Sequence, residues 1–253
     1  KEAPFAGASH RSFAWLNANN KFPRSYYQIN RSGLDEHKRL QLEFPSDRTW
    51  FHPSGNVLVD FTETRTATYE TRISDAKEMG YPVEMIDLST LRALEPSIQW
   101  PEKIESALFY PEEAWLDNDV LGEEIVRVLG ERGVEIRIAQ VASIESDDRG
   151  AQVNLTDGTG ISADFSVLAT GAWSRELAQA SGLFVPVADL AEQSTRTHSL
   201  LGLTEPVTVP LQRIVISDRL NVRPRHDGRM WVQVARLEER VTEGQNQRML
   251  DEV

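Results

Sequence analysis

The stretch "SVLATGAWSREL" (166–177) changes from apolar to polar character at a run of small residues. The apolar run ends at Ala169, Thr170 and Gly171, and a polar segment with helical spacing begins at Ser174. This pattern predicts a strand, a tight turn and a short helix. Small residues also let a backbone approach a bound group without a clash at Cβ. Two interpretations therefore stand: a tight strand–helix turn, or a turn against which a ligand lies.

Immediately upstream, "GTGISA" (158–163) matches the letters of the G-x-G-x-x-A dinucleotide-binding pattern. That pattern binds pyrophosphate where a strand leads in and a helix leads out, because the helix N-terminus meets the phosphates. Here strands are predicted on both sides, over 151–157 and 161–170, and Asp157-Gly158 is typical of a hairpin turn. We therefore predict a β-hairpin at this point and no complete nucleotide-binding βαβ unit in the chain.

Outward from this hairpin, helices and strands alternate irregularly, which predicts an α/β (α+β) fold. The predicted helices cover 24–44, 62–80, 89–96, 118–132 and 174–181. The predicted strands cover 56–61, 106–111, 134–146, 151–157, 161–170, 185–203, 212–225 and 229–235, with the last two joined at Asp227-Gly228. The helix at 118–132 has the strongest signals, since Asp117 or Asn118 can cap its start and Gly133 follows its end.

Composition excludes several classes of function. The 253 residues carry 27 Lys and Arg against 39 Asp and Glu, a net charge of −12, which disfavours nucleic acid as a partner. No apolar run approaches the ~18 residues of a membrane span. Cysteine is absent, which excludes disulfides and thiolate nucleophiles and fits a reducing, cytoplasmic compartment.

Few side chains have the spacing that catalysis by the protein itself would need. The five histidines are scattered without metal-ligand spacing, so no metal site is predicted. No G-x-S-x-G motif is present, which disfavours a serine hydrolase. Glu112 and Glu113 are adjacent and would face opposite ways on a strand, so they are not predicted to act as an acid/base pair. The catalytic residues therefore stay unknown at this stage.

Two kinds of side chain invite a binding interpretation. Arg223 and Arg225 alternate in "NVRPRHDGRM" (221–230) and are predicted to share one strand face. They either bind a substrate carboxylate or form a solvated basic face. Trp15 and Trp173 each lie in a segment of small residues, a context in which a large ring packs on something flat.

Three segments together resemble the FAD-dependent amine and amino-acid oxidases of the D-amino acid oxidase, glycine oxidase and sarcosine oxidase type. "GASHRSFAWLNANNK" (7–21) is similar to the family's loop past the pyrophosphate and the flavin. "GEEIVRVLGERGVEIRIAQVASIE" (122–145) resembles the helix and strand in which a valine backbone contacts the adenine. "LTDGTGISADFSVLATGAWSREL" (155–177) resembles the hairpin and the strand that ends in Ala-Thr-Gly. The resemblance covers residues 7–241.

This resemblance implies FAD as the cofactor and a two-domain fold. Residues 1–44 and 118–184 would form the FAD-binding half, and 45–117 and 185–253 the substrate-side mixed-sheet domain. The fold would be truncated at both ends, because the family's G-x-G-x-x-G unit would precede Lys1 and its C-terminal flavin segment would follow Val253. The implied cofactor-binding residues are Gly7, Ala8, Ser9, Asn17, Val141, Ala169, Thr170, Gly171 and Trp173.

The implied reaction is oxidation of the C–N bond of a small amine or amino acid. A hydride would pass from the carbon beside nitrogen to the flavin, and the imine would then hydrolyse. Arg223 and Arg225 are the candidates for substrate binding. Two alternatives stay open: a cofactor-free binding or scaffold fragment of this fold, and a related flavoenzyme that acts on a hydroxy acid or glycerol phosphate.

Overall fold

A computed structural model describes residues 3–44, 46–61, 66–189, 199–208, 211–234 and 237. The chain falls into two compact units. The large unit comprises residues 7–134 and 200–235, and the small unit comprises 1–6, 135–199 and 236–253. These units do not follow the predicted functional division, since 7–44 and 118–134 lie in the large unit together with most of the predicted substrate-side residues.

Helices and strands alternate along the chain as follows. The elements are β1 (Trp15–Leu16), α1 (Arg24–Glu43), β2 (Phe51–His52), β3 (Asn56–Val59), α2 (Thr66–Met79), β4 (Glu84–Asp87), α3 (Leu88–Leu94), β5 (Ser106–Tyr110), β6 (Ala114–Leu116), α4 (Asn118–Glu131), β7 (Val141–Asp147), β8 (Gly150–Leu155), β9 (Gly160–Ala163), a 3₁₀ turn (Gly171–Trp173), α5 (Ser174–Ala180), β10 (Leu201–Leu203), β11 (Ile214–Ser217), β12 (Asn221–Pro224) and β13 (Met230–Gln233).

A seven-stranded mixed sheet forms the centre of the large unit, in the order β10-β13-β12-β11-β3-β5-β4. β3 pairs with β11 in parallel, and the other neighbours are antiparallel. All four residues of β3 are buried, and its side chains alternate between two apolar clusters. Val57 and Val59 pack in one cluster with Leu91 of α3, and Leu58 packs in the other with Tyr69 of α2. The sheet is therefore covered on both faces.

A second, three-stranded sheet in the large unit has the order β1-β6-β2. Its apolar side chains form a third cluster with α4, through Trp50, Leu116 and Leu121. The Asp117 side chain accepts a hydrogen bond from the Val120 amide and caps α4, and Gly133, at φ +75°, follows its last turn. Both features were predicted from the sequence.

The small unit is built on an antiparallel meander, in the order β7-β8-β9, followed by the 3₁₀ turn and α5. Gly160 begins a strand, and the turn before it contains Gly158 at φ +86°. The hairpin prediction at 157–160 is therefore confirmed, and "GTGISA" is not a dinucleotide-binding motif.

Two predicted strands in this part of the chain are wrong over more than half of their length. Residues 134–140 and 164–170 are not strands, and no strand of the described small unit pairs with them. Their apolar side chains are exposed, with Ile138 at 59% and Val167 at 86%. Apolar alternation predicted the strands, but an extended backbone becomes a strand only where a neighbour accepts its hydrogen bonds.

Further differences lie in the C-terminal third. The predicted strand 212–225 is two antiparallel strands, β11 and β12, because the chain reverses at 218–220. β12 and β13 are joined at Asp227-Gly228 as predicted. Of the predicted strand 185–203, only β10 is a strand, and residues 190–198 lie outside the described residues. The short strands β1, β2, β4 and β6 were not predicted.

Candidate functional site

Four of the predicted cofactor-binding residues line one cleft in the small unit. Val141, Ala169, Thr170 and Trp173 border a cavity of about 640 Å³. Apolar side chains of the extended segment before β7 and of α5, including Ile136, Ile138 and Leu177, complete its walls with Ala3 and Pro4. The turn of the opening sequence thus faces a cleft within the size range of small-molecule sites.

The backbone of this turn explains the small residues. Gly171 has a φ of +58°, the left-handed region that favours glycine, and a Cβ built there meets no atom within 4 Å. Thr170 faces Ser174, with 3.1 Å between the two hydroxyl oxygens. Trp173 remains 44% exposed beside the cleft. The turn needs glycine for its conformation, which confirms the interpretation as a tight turn. The open space beside it leaves room for a ligand, and contact with a ligand stays a prediction.

The side chains of the cleft suit part of FAD, the cofactor that the family resemblance implies. Ile138 and Trp173 are large apolar side chains left exposed, which suits a flat aromatic ring. Arg137 also borders the cleft and can meet a negative charge, although Glu135 lies 2.5 Å from its Nε. An apolar wall with a few polar groups is the usual composition of a cofactor site, so the residues present fit the group.

The remaining predicted cofactor residues lie in the large unit. Ala8 and Ser9 are exposed and Gly7 is half-buried, in a turn where the Arg11 amide donates to the Ala8 carbonyl at 3.1 Å. Asn17 is half-buried, and its amide lies 3.4 Å from the Trp15 carbonyl oxygen. Because this loop and the Thr170-Gly171 turn belong to different units, their shared contact with one cofactor stays a prediction.

Glu113, which the sequence did not predict to be functional, is a buried carboxyl group. Its exposed fraction is 0%, and it accepts hydrogen bonds from the Trp15 indole at 2.7 Å and the Asn19 amide at 2.5 Å. The Tyr81 hydroxyl lies 3.2 Å from the same carboxyl group. Burial raises the pKa of Glu113 to about 7, against the opposing effect of these hydrogen bonds. The sequence did contain a signal for its burial, because Glu113 lies within three residues of the large aromatic residues Tyr110 and Trp115.

Arg223 does not lie on a solvated face, so that interpretation is wrong for this residue. Only 1% of it is exposed, and its guanidinium donates to the Phe13 carbonyl and, at 2.9 Å, to the Pro224 carbonyl. The guanidinium also lies 5.1 Å from the centre of the Trp115 ring. Burial lowers the pKa of Arg223 to about 10, while Asp117 acts in the opposite direction.

Arg225 has a different environment. It forms ion pairs with Asp119 and, at 3.0 Å, with Asp227. Its charge is therefore already neutralised within the large unit, which makes it the weaker of the two candidates for binding a substrate carboxylate.

Two further properties of the described residues bear on other classes of function. No group of three or more His, Asp or Glu residues within the described ranges could hold a metal ion. Among the helices of that same part of the chain, none has the length and apolar character needed to cross a membrane.

Comparison with known proteins bears on the family of the chain. The family model described as FAD dependent oxidoreductase (DAO) matches residues 1–253. A curated relative, the bifunctional protein ThiO/ThiG of Synechocystis, is 29% identical over 149 residues, which is 58% of this chain and 21% of that protein. The chain thus spans about a fifth of the length of the curated relatives it matches.

Solved structures share the fold. Glycine oxidase from Bacillus cereus superimposes with a TM-score of 0.72 at 16% identity, over 92% of this chain and 62% of that one. Iminodiacetate oxidase from Chelativorans superimposes with a TM-score of 0.69 at 21% identity, over 89% and 61% of the two chains.

Proposed function

The chain belongs to the family of FAD-dependent oxidoreductases, and from this premise we propose that the protein oxidises the C–N bond of a small amine or amino acid. The observation that carries the proposal is the cleft shared by Val141, Ala169, Thr170 and Trp173. These residues come from two segments about thirty positions apart, and the family resemblance assigns both segments to the cofactor.

The proposed FAD contacts are those of the cleft and of the loop in the large unit. Val141 is assigned to the adenine, and Ala169 to Gly171 to the middle of the cofactor. Gly7, Ala8, Ser9 and Asn17 are assigned to the pyrophosphate and flavin. We retain 1–44 and 118–184 as the FAD-binding half and 45–117 and 185–253 as the substrate side, as a division by function. We also propose a cytoplasmic location, because the chain contains no cysteine.

The substrate class is argued from Arg223. Among the described residues, no carboxylate forms an ion pair with this buried guanidinium. A buried cation without a counter-ion is costly, and a substrate carboxylate would relieve that cost with a charge-assisted hydrogen bond. Two of the structural relatives are a glycine oxidase and an iminodiacetate oxidase, and both glycine and iminodiacetate carry a carboxylate.

When bound, FAD would supply the acceptor for the hydride of the substrate C–H bond. Arg223 contributes by binding and orientation. Its bonds to the Phe13 and Pro224 carbonyls fix the guanidinium, so little side-chain entropy is lost when a carboxylate binds. With a pKa of about 10, Arg223 stays charged throughout the neutral range. No side chain is assigned as an acid or base.

The first experiment tests the cleft by filling it. Ala169→Leu places three extra carbons beside Thr170, and Ala163→Leu adds the same atoms at an exposed position of β9 away from the cleft. We expect Ala169→Leu to weaken FAD binding by about tenfold or more and Ala163→Leu to stay within about twofold of the wild type. The measurement is quenching of FAD fluorescence on titration. Equal affinities for the two variants would remove the cleft from the site.

The second arm of this experiment tests the substrate. The protein with FAD is mixed with glycine, N-methylglycine, a 2-hydroxy acid or glycerol phosphate, and loss of the visible flavin band is followed. We expect bleaching with the amines, and a KM raised about tenfold by Arg223→Lys, which loses the planar fork. Arg229→Lys, at a half-buried arginine of the same hairpin that lies near Asp227, is the control. If only the hydroxy acid or glycerol phosphate bleached the flavin, the alternative substrate class would be established. If neither the wild type nor the variants bound FAD, a role as a scaffold would be favoured.

A further inference from the structure

Three donors from one short segment converge on Glu113 and its partner Tyr81 in the large unit. The Trp15 indole and the Asn19 amide donate to the two carboxylate oxygens, one to each. The Ala18 amide donates to the Tyr81 hydroxyl at 3.2 Å, and that hydroxyl lies 3.2 Å from the oxygen bound by Asn19. A single buried carboxyl group therefore anchors this segment in two ways. It accepts from the side chains of Trp15 and Asn19, and Tyr81 links it to the backbone of Ala18.

The other end of this segment is held as well, and it is strained. Ala14 has a φ of +51°, which is unfavourable for a residue with Cβ. Its carbonyl accepts from the Leu116 amide at 3.0 Å, and the carbonyl of Phe13 accepts from Arg223. Strain of this kind persists where the surrounding structure over-determines the backbone, and it concentrates at functional sites.

Asn17 lies between the two anchored ends. Like residues 13–16 it is half-buried, whereas Ala18 and Asn19 are buried, and its side-chain amide donates to the Trp15 carbonyl. Residues 13–19 are therefore anchored at both ends, with Asn17 in the half-buried part between them, and Asn17 is the residue of this segment that the proposed function assigns to FAD.

We propose that Glu113 is a positioning residue, whose carboxyl group fixes the backbone of residues 14–19 so that Asn17 is held ready to contact FAD. This inference rests on the proposed function for the identity of the ligand. It assigns a role to a buried acidic group that neither the cofactor contacts nor the substrate contacts explain.

The carboxyl group is suited to this role by its hydrogen-bonding capacity. A carboxyl group can accept a hydrogen bond on each of its two oxygens, which the Trp15 and Asn19 donors require. Glutamine has the same shape but carries an NH₂ group on one side, which would face one of these donors. Glu113→Gln therefore leaves the packing intact and breaks one of the two hydrogen bonds. Glu112→Gln, the control, removes the charge of the exposed neighbour, which pairs with Arg31.

The experiment compares these two variants with the wild type by three measurements. Hydrogen exchange reports the protection of residues 13–20 and, separately, of β3 and β5. Nitrogen-15 NMR of the indole groups, with the Trp15 signal assigned by Trp15→Phe, reports the Glu113–Trp15 bond. Titration with FAD gives the Kd. For Glu113→Gln we expect at least about tenfold faster exchange at 13–20, a displaced Trp15 indole signal and a Kd weaker by about tenfold, with β3 and β5 unchanged.

A second pair of variants tests the inference independently, in case Glu113→Gln misfolds. Tyr81→Phe removes only the hydroxyl that joins Ala18 to Glu113, and Tyr69→Phe removes the hydroxyl of another buried tyrosine of the large unit, which accepts from the Asp60 amide. We expect Tyr81→Phe to weaken FAD binding by about threefold or more and Tyr69→Phe to stay within about twofold.

The outcomes separate this inference from the proposed function. An FAD Kd of Glu113→Gln and Tyr81→Phe within twofold of their controls would overturn the inference alone, whatever the exchange at 13–20. Absence of FAD binding by the wild type would overturn the proposed function and, with it, the inference.

Discussion

At Glu113, burial and hydrogen bonding act on the same carboxyl group in opposite directions, and burial prevails. Its pKa is about 7 in the folded protein and near 4.5 when the chain is unfolded. The folded state therefore binds this proton more tightly than the unfolded state. The stabilising contribution is complete below about pH 4.5 and is lost as the pH rises through about 7.

The expected result is a pH-dependent difference in the free energy of unfolding between the wild type and Glu113→Gln. Between pH 4.5 and pH 8.5 the wild type should lose about 3 kcal/mol relative to this variant, which cannot titrate at this position. His37 and His52, whose pKa values burial lowers, are present in both proteins and cancel from the difference. Urea unfolding of both proteins at several pH values measures this difference in the free energy of unfolding.

Glu112→Gln is the matched control, since its carboxyl group is adjacent in sequence but exposed. Its stability curve should run parallel to that of the wild type. A parallel curve for Glu113→Gln as well would mean that Glu113 titrates normally, and the buried network would then need another explanation.

At the scale of elements, α3 and α4 have the same kind of N-cap in different surroundings. Asp87 caps α3 by accepting from the Thr90 amide at 2.8 Å and is exposed. Asp117 caps α4, is buried, and also pairs with His226 of the β12–β13 turn. The cap of α4 thus ties the start of a helix to the distant hairpin, whereas the cap of α3 serves its own helix alone.

Replacing each capping aspartate by alanine should separate these two roles. Asp87→Ala should lower the free energy of unfolding by about 1 kcal/mol, the usual value for a cap. Asp117→Ala should lower it by about 3 kcal/mol or more, because a buried partner is lost together with the cap. Thermal or urea unfolding of both variants measures the contrast, and equal losses would show that the His226 contact contributes nothing.

At the scale of the whole molecule, the apolar core is distributed unequally between the two units. The three clusters of buried apolar residues all lie in the large unit. In the described part of the small unit only Ala151 and Ala178 are buried apolar residues, and large ones such as Phe165 and Phe184 are exposed. A unit with so little buried apolar surface opens locally at a lower free energy.

Native-state hydrogen exchange should therefore show weaker protection in β7–β9 than in β3, β5 and β11. FAD at about 100 times its Kd should raise the protection of β7–β9 by up to about 2.7 kcal/mol, because a ligand of the cleft stabilises the unit that carries it. Riboflavin, which lacks the adenine assigned to Val141, should raise it less. If FAD protected only the large unit, the cleft in the small unit would not be part of the site.

The sequence by itself determined the elements whose signals are local. The caps and periodicity of α4, the buried run of β3 and the Asp157-Gly158 turn each depend on residues within one element, and they were predicted correctly. The Ala169 to Gly171 turn was recognised in the same way, as was the family. These features depend on short-range backbone preferences and apolar patterning, which the sequence states directly.

Only the tertiary structure decided which polar groups are buried and which segments find a partner. From the sequence, Glu113 was not predicted to form an acid/base pair with Glu112. Arg223 was predicted either to bind a substrate carboxylate or to lie on a solvated face. Both are buried because residues about 100 or more positions away, near Trp15 and Phe13, pack over them. Likewise, 134–140 and 164–170 have the alternation of strands but no described neighbour to pair with. Burial and strand pairing are properties of long-range contacts, and no local pattern contains them.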